Sequence, residues 1–415
     1  MKSYSISNYL ENTPKIVIVL TLTLVLLTIV PLYSLLLTSP WRSPSPSPPS
    51  SSHNDVNDML RGIRNLKNCD IFCGEWVPNP SAPYYTNETC SVIHEHQNCM
   101  KFGRPDTDFM KWRWKPDECE LPIFNPAQFL ELVRGKSLAF LGDSVGRNQM
   151  QSLMCLLSKV AYAVDASKIP NDQSTRFFYP THNFTLANFW SPYLVRGVNA
   201  DPNGPIFTSL FNLYLDEPDP TWTSQIAAFD YVIVSAGHWF FRPTMFYEAS
   251  RLVGCLSCLD PAVPELTVSY SYRSAFRTTF RYLIDLRGYK GTTILRTFAP
   301  SHFEDGDWDK GGDCVRRGPF RRNETRLEGI NLELYAAQME EYRRAEREGR
   351  EKGVRFRLLD TTGAMLLRPD GHPSRYGQAA WKKVGMPNDC VHWCLPGPID
   401  AWNDFLLEIL KMETG

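Results

Sequence analysis

Two short strings far apart in the chain hold the residue types that acyl transfer needs. Gly142-Asp143-Ser144 offers a hydroxyl, and Asp389-Cys390-Val391-His392 offers a carboxylate three residues ahead of an imidazole. A serine becomes a nucleophile when an imidazole takes its proton, and a carboxylate on the other ring nitrogen fixes the tautomer. In that pattern Ser144 is the nucleophile, His392 the general base and Asp389 its support. Each string also has a plainer reading: Ser144 as a helix N-cap, and Asp389 with His392 as a turn stapled by Cys390 and Cys394. A rival pair, Asp370 and His372 in Pro369-Asp370-Gly371-His372-Pro373, sits in a Gly/Pro turn that points the two side chains apart. It reads as acceptor binding or loop structure. His94, His96, His238 and His302 have no carboxylate at a useful spacing and read as structural or substrate-contacting residues.

The elements that must position these groups follow from hydrophobic periodicity. Residues 137–141 form a short apolar run ending at Gly142, and 146–157 carries Met150, Leu153, Met154 and Leu157 at helical spacing. Strand, tight turn and helix place the Ser144 hydroxyl at a strand's carboxyl end and beside a helix N-terminus, whose free N–H groups favour a developing oxyanion. Further strands are predicted at 231–235, 292–297 and 355–360, with helices at 274–286 and 331–352. Strands alternating with helices make an α/β fold, a mostly parallel sheet covered on both faces, with ligands bound outside the strands' carboxyl ends.

Composition narrows the class. The formal net charge is −1, with no basic run, which gives no footing for nucleic acid. Residues 16–37 contain no charged side chain and are long enough to span a bilayer. Lys2 and Lys15 precede them, so the expected topology is a cytoplasmic tail at 1–15, a retained signal anchor at 16–37 and a lumenal remainder; the alternative is a long signal peptide removed on secretion. A Ser/Pro-rich stem covers 38–64, a cysteine-rich subdomain 65–125 and the main domain 126–415. The 11 cysteines behind an anchor read as disulfides, with at least one thiol left over because the number is odd. Cys69/Cys73 and Cys255/Cys258 have zinc-like spacing but no second pair at zinc-module distance, so no metal is expected. Asn87, Asn183 and Asn323 lie in glycosylation sequons that agree with a lumenal face.

The paired strings Gly142-Asp143-Ser144 and Asp389-Cys390-Val391-His392 resemble the signature of the trichome birefringence-like family of plant polysaccharide O-acetyltransferases. The similarity runs from Cys69 to Leu410. It includes Cys69-Asp70-Ile71-Phe72, Tyr84-Tyr85-Thr86-Asn87-Glu88-Thr89-Cys90, Glu95-His96-Gln97-Asn98-Cys99-Met100, Gly103-Arg104-Pro105-Asp106 and Trp112-Arg113-Trp114-Lys115-Pro116. The resemblance implies an SGNH-hydrolase-like three-layer α/β/α sandwich with an attached cysteine-rich N-terminal region, working in the Golgi as a single-pass type II membrane protein. It implies ping-pong transfer from an acetyl donor, with acetyl-CoA the candidate, through an acyl-Ser144 to a hemicellulose or pectin hydroxyl. Where SGNH enzymes usually place a glycine and an asparagine for the oxyanion hole, this chain has Gly237-His238-Trp239. The oxyanion candidates are therefore the N–H groups of Ser144 and Gly237 and the side chains of Arg147 and Asn148. Trp239, Phe240 and Phe241 are candidates for stacking on sugar rings, or for core. The strings 212–222 and 296–302 resemble the branch acting on xyloglucan side-chain galactose; mannan, glucomannan or xylan are the other acceptors. A polysaccharide acetylesterase with the same triad and a non-catalytic wall-binding protein are the readings from other classes.

Overall fold

The computed structural model describes residues 69–167, 174–200, 210–258, 260–379 and 387–414. The predicted anchor and stem lie outside them, and among the described residues no helix is long and apolar enough to cross a membrane. The chain opens with an antiparallel pair, β1 (Gly74–Pro78) and β2 (Trp112–Pro116). Then come α1 (Pro126–Leu132), β3 (Ser137–Gly142), α2 (Ser144–Leu157), β4 (Val164–Asp165), β5 (Thr175–Tyr179), β6 (Phe184–Trp190), β7 (Val195–Asn199), β8 (Phe211–Pro218), α3 (Pro220–Thr223) and β9 (Tyr231–Ser235). β10 (Thr244–Glu248), β11 (Arg251–Leu256), α4 (Val268–Asp285), β12 (Thr292–Arg296), α5 (Gly329–Lys352), β13 (Arg355–Leu359), α6 (Thr362–Leu366) and α7 (Ala401–Thr414) complete it.

The main sheet has the order β13-β12-β9-β3-β6-β5-β4. Five neighbours from β13 to β6 run parallel, and β5 and β4 add an antiparallel edge. Both faces are buried, as a parallel sheet requires. Leu138, Phe140, Ile233 and Ile294 pack into one core with Phe129 of α1, Leu153 of α2, and Trp402 and Phe405 of α7. On α4, Phe276 meets Phe280, which meets Phe356 of β13, and α5 runs alongside and bonds α4 through Arg277 and the buried Glu341. The α/β reading and the mostly parallel sheet are therefore found as expected. A second sheet, β11-β10-β8-β7, was not expected; Asn212 to Asp216 of its strand β8 alternates half-buried or exposed with buried positions, a period-2 signal. α4 begins six residues before its predicted start, where the Thr267 side chain accepts the Tyr270 N–H as a cap.

The turn after β3 dictates the approach of α2. Gly142 has φ +151°, and a Cβ there would lie 1.6 Å from the Ser235 carbonyl oxygen of the neighbouring strand. Gly146, one turn on, faces the Ser235 hydroxyl, which a Cβ would meet at 2.9 Å. Small residues on both sides let the helix start directly against β9. Gly142→Ala is expected to cost roughly 4 kcal/mol or more, in the range where backbone clashes abolish stable folding. Thermal unfolding of the full-length protein checks this, and a melting temperature within a few degrees of the unsubstituted chain would contradict it.

Candidate active site

Ser144 is the first residue of α2, and it is not the cap. Asp143, in extended backbone conformation, caps the helix by accepting the Val145 N–H at 3.0 Å and the Gly146 N–H at 3.4 Å. The N-cap alternative for Ser144 is thus overturned: the carboxylate one residue earlier does that work, and the hydroxyl is left free. It donates to His392 Nε2 at 2.7 Å, bridging 248 positions of sequence. His392 Nδ1 in turn donates to Asp389 Oδ2 at 2.9 Å. The second carboxylate oxygen, Oδ1, accepts the Val391 and His392 N–H groups at 3.1 and 2.9 Å, so one carboxylate both shapes the turn and orients the ring.

The loop that carries His392 has no regular structure and is held from several sides. Cys390 is bridged to Cys314, and Cys394 to Cys99. Asn148, fully buried, accepts the Trp393 N–H at 2.8 Å and donates to the Trp393 carbonyl at 3.3 Å. Of the proposed oxyanion donors, Asn148 is therefore turned toward the loop; its amide completes a backbone pair that no strand supplies. The Ser144 and Gly237 N–H groups have no hydrogen-bond partner among the described residues. β9 is paired with β3 in the register Gly142↔Ser235, which brings Gly237 beside the start of α2. Gly237 has no room for a side chain, because a Cβ would lie 2.8 Å from the Phe298 ring.

Arg147, one turn into α2, is half-buried with its guanidinium 5.1 Å from the Trp190 ring centroid, and burial lowers its pKa. Trp190 meets Trp239 edge-on at 5.6 Å, and Arg242 lies 3.6 Å over Trp239. Two tryptophans and two arginines thus share one wall next to Ser144. Phe240, by contrast, is buried in the core, and Phe241 is exposed. His238 makes its Nε2 contact with the Ala299 carbonyl at 2.9 Å, and burial lowers its pKa.

The rival pair separates as predicted, and more completely. Asp370 is bound bidentately by Arg368, both fully buried, and the buried His372 contacts His302 and the His392 carbonyl instead. Acceptor binding by either is excluded by burial. Neither zinc-like pair is a ligand set: Cys255 is bridged to Cys258, and Cys69 to Cys119, while Cys73 is the exposed free thiol. Of the sequon asparagines, Asn183 and Asn323 are exposed and Asn87 is half-buried.

Imidazole and carboxylate tune one another. Burial pushes the Asp389 carboxyl up, but the charge and hydrogen bonds of His392 outweigh it and hold the group well below its ordinary 3.8. For His392 burial acts downward, and the Asp389 carboxylate, by charge and hydrogen bond, raises the ring above 6.5. The Asp389 contribution to stability is present above its unfolded pKa and fades as pH falls through the depressed value. That of His392 is complete below its unfolded pKa and fades as pH rises through the raised value. The pair therefore stabilises most between roughly pH 4 and 6.5. In Asp389→Asn the His392 pKa is expected to fall to 6.5 or lower, read by NMR titration of the ring; an unmoved titration would refute the coupling.

Comparison with known proteins agrees with this architecture. Residues 121–409 match the GDSL/SGNH-like acyl-esterase family found in Pmr5 and Cas1p, and residues 67–120 match the PMR5 N-terminal domain. Protein trichome birefringence-like 19 of Arabidopsis thaliana is 55% identical over 96% of this chain and 94% of its own length. Xyloglucan O-acetyltransferase 4 of Populus trichocarpa is 45% identical over 85% of this chain and 83% of its own. Xyloglucan O-acetyltransferase 2 of Arabidopsis thaliana is 42% identical over 83% of each. With both domains matched and similarity along nearly the whole length of curated relatives, the chain belongs to the trichome birefringence-like family of O-acetyltransferases.

Proposed function

We propose that this chain transfers acetyl groups to a hemicellulose through an acyl-enzyme on Ser144, and that the acceptor is xyloglucan, at its side-chain galactose. The observation that carries the reading is the line of contacts from Ser144 Oγ to His392 Nε2 at 2.7 Å and from His392 Nδ1 to Asp389 at 2.9 Å. His392 takes the Ser144 proton as Oγ attacks the acetyl carbonyl of the donor, with acetyl-CoA the candidate. The proton passes to the leaving group as the donor bond breaks. A sugar hydroxyl then gives its proton to His392 and attacks the acetyl-serine carbonyl, and His392 returns the proton to Oγ as the bond between Oγ and the acetyl carbon breaks and the acetylated sugar leaves. Negative charge on the carbonyl oxygen is met by the N–H groups of Ser144 and Gly237 at the helix start, with the Arg147 guanidinium alongside.

The acceptor assignment draws on relatives named as xyloglucan O-acetyltransferases and on the wall of Trp190 and Trp239, whose rings suit the apolar faces of sugars. We place the domain in the Golgi lumen, anchored through residues 16–37. Support comes from the charge-free stretch, from five disulfides that need an oxidising compartment, and from the exposed sequons at Asn183 and Asn323.

The test uses the full chain in detergent with acetyl-CoA and xyloglucan or glucomannan oligosaccharides, read by mass spectrometry. Ser144→Ala is expected to reduce transfer by about 10⁴-fold or more, and the unsubstituted chain given donor alone is expected to gain one acetyl on Ser144. kcat/KM should rise with pH through a value above 6.5, because the base form of His392 is required and Asp389 raises its pKa. Undiminished acetylation by Ser144→Ala would overturn the nucleophile, acetyl release without transfer would make the protein an esterase, and preference for glucomannan would overturn the acceptor.

A further inference from the structure

Behind the loop of His392 lies a pair of buried imidazoles that the reaction itself does not use. His372 Nδ1 is 2.7 Å from the His392 carbonyl oxygen, His372 Nε2 is 2.7 Å from His302 Nδ1, and His302 Nε2 is 3.0 Å from the Leu366 carbonyl oxygen. The His372 ring is stacked on Trp393 at 4.1 Å, so it cannot turn away. Each of the three contacts needs a proton, but two neutral imidazoles carry only two N–H groups. Burial lowers the pKa of both rings, His302 to about 4, and the charge of His302 would further disfavour protonation of His372, so the pair is neutral near pH 7.

One contact must then lack its proton. A contact without its proton sets two lone pairs against each other, nitrogen on carbonyl oxygen or nitrogen on nitrogen, and is worst at the shortest distance. The longest of the three is the one to Leu366. Placing the vacancy there puts a proton on Nδ1 of both rings: His302 donates to His372, and His372 donates to the His392 carbonyl. The charged groups around the pair fit this order. Asp370 on the same turn is engaged by Arg368, and Arg104 of the N-terminal region donates to the Asp370 and His372 carbonyls. Asp389 is engaged by His392, while His238 and Glu304 act only through space.

We propose that His372, locked as its Nδ1–H tautomer by His302, is a positioning residue that fixes the main chain of His392 against Ser144. The inference rests on the acyltransfer reading of the site. It assigns the buried turn at Asp370 to His372 a part in catalysis that requires no contact with substrate.

Two substitutions separate positioning from packing. His372→Asn keeps an amide donor near the Nδ1 position, whereas His372→Gln carries its amide past it toward the Nε2 position; both lose the stack on Trp393. Full-chain protein assayed for acetyl transfer should show His372→Asn within about threefold of the unsubstituted kcat and His372→Gln down by about 100-fold with KM little changed, as a displaced catalytic group costs. The acid limb of kcat/KM in His372→Gln should move to lower pH, because a loosened His392 loses part of its Asp389 contact. Equal losses in both variants, or an unmoved acid limb, would reduce His372 to packing. Should both variants fail to fold, ¹⁵N NMR of the unsubstituted chain decides: Nδ1–H on both rings supports the proposal, and Nε2–H on either ring overturns it. Retained transfer by Ser144→Ala would sink the catalytic reading while leaving this tautomer result intact.

Discussion

The general base proposed at His392 sits on an irregular loop and must be held as firmly as a residue on a strand, and the loop's main chain has a fixed partner at nearly every step. The Val391 and His392 N–H groups go to the Asp389 carboxylate, the His392 carbonyl to His372, and both main-chain groups of Trp393 to Asn148. The Cys394 N–H goes to the Gly371 carbonyl and the Leu395 N–H to that of Gln97. Each bond is worth only about 1 kcal/mol net, but a buried group left without a partner costs more than that. Any other path for the loop would orphan several such groups at once, so one geometry is strongly preferred.

The cysteine-rich region adds to the same constraint. Cys90 is bridged to Cys155 near the end of α2, and Cys99 to Cys394 two residues past His392. Arg104, almost fully buried, donates to the carbonyls of Asp370 and His372 and lies 3.8 Å over Phe109. One stretch of about fifteen residues therefore grips both α2 and the loop of His392. Disulfides across such long separations act largely by restricting the unfolded chain, but here their placement also ties the two halves of the site to a common frame.

Much of this was legible in the sequence where chemistry and periodicity coincide. The apolar run into Gly142 and the helical spacing of Met150, Leu153 and Leu157 gave the strand, turn and helix around Ser144, and the spacing of Asp389 and His392 gave the dyad. The second sheet leaves a weaker mark, because the alternation around Leu213 and Leu215 spans only a few residues. The hold of Asn148 on the loop leaves no local mark at all: its partner, Trp393, is 245 residues away. Arg368 likewise decides the fate of Asp370, and a neighbour two positions off in a Gly/Pro turn gives no hint that both will be buried. Long-range pairings of polar side chains leave no period to detect.

The division of labour between Asp143 and Ser144 shows how closely folding and reactivity are joined here. A serine at the N-cap would spend its oxygen accepting helix N–H groups and would be a poorer nucleophile for it. With the carboxylate of Asp143 as cap, those donors are satisfied one residue earlier, and the Ser144 hydroxyl is free to donate to His392. The capping carboxylate also adds negative charge near His392 and favours its protonated form, while Arg147 opposes it. In the proposed reaction the cap thus serves the helix in the ground state and the imidazolium during each proton transfer. Replacing Asp143 by a neutral cap such as asparagine would leave the helix start largely intact and remove only the second effect, which separates the two roles physically.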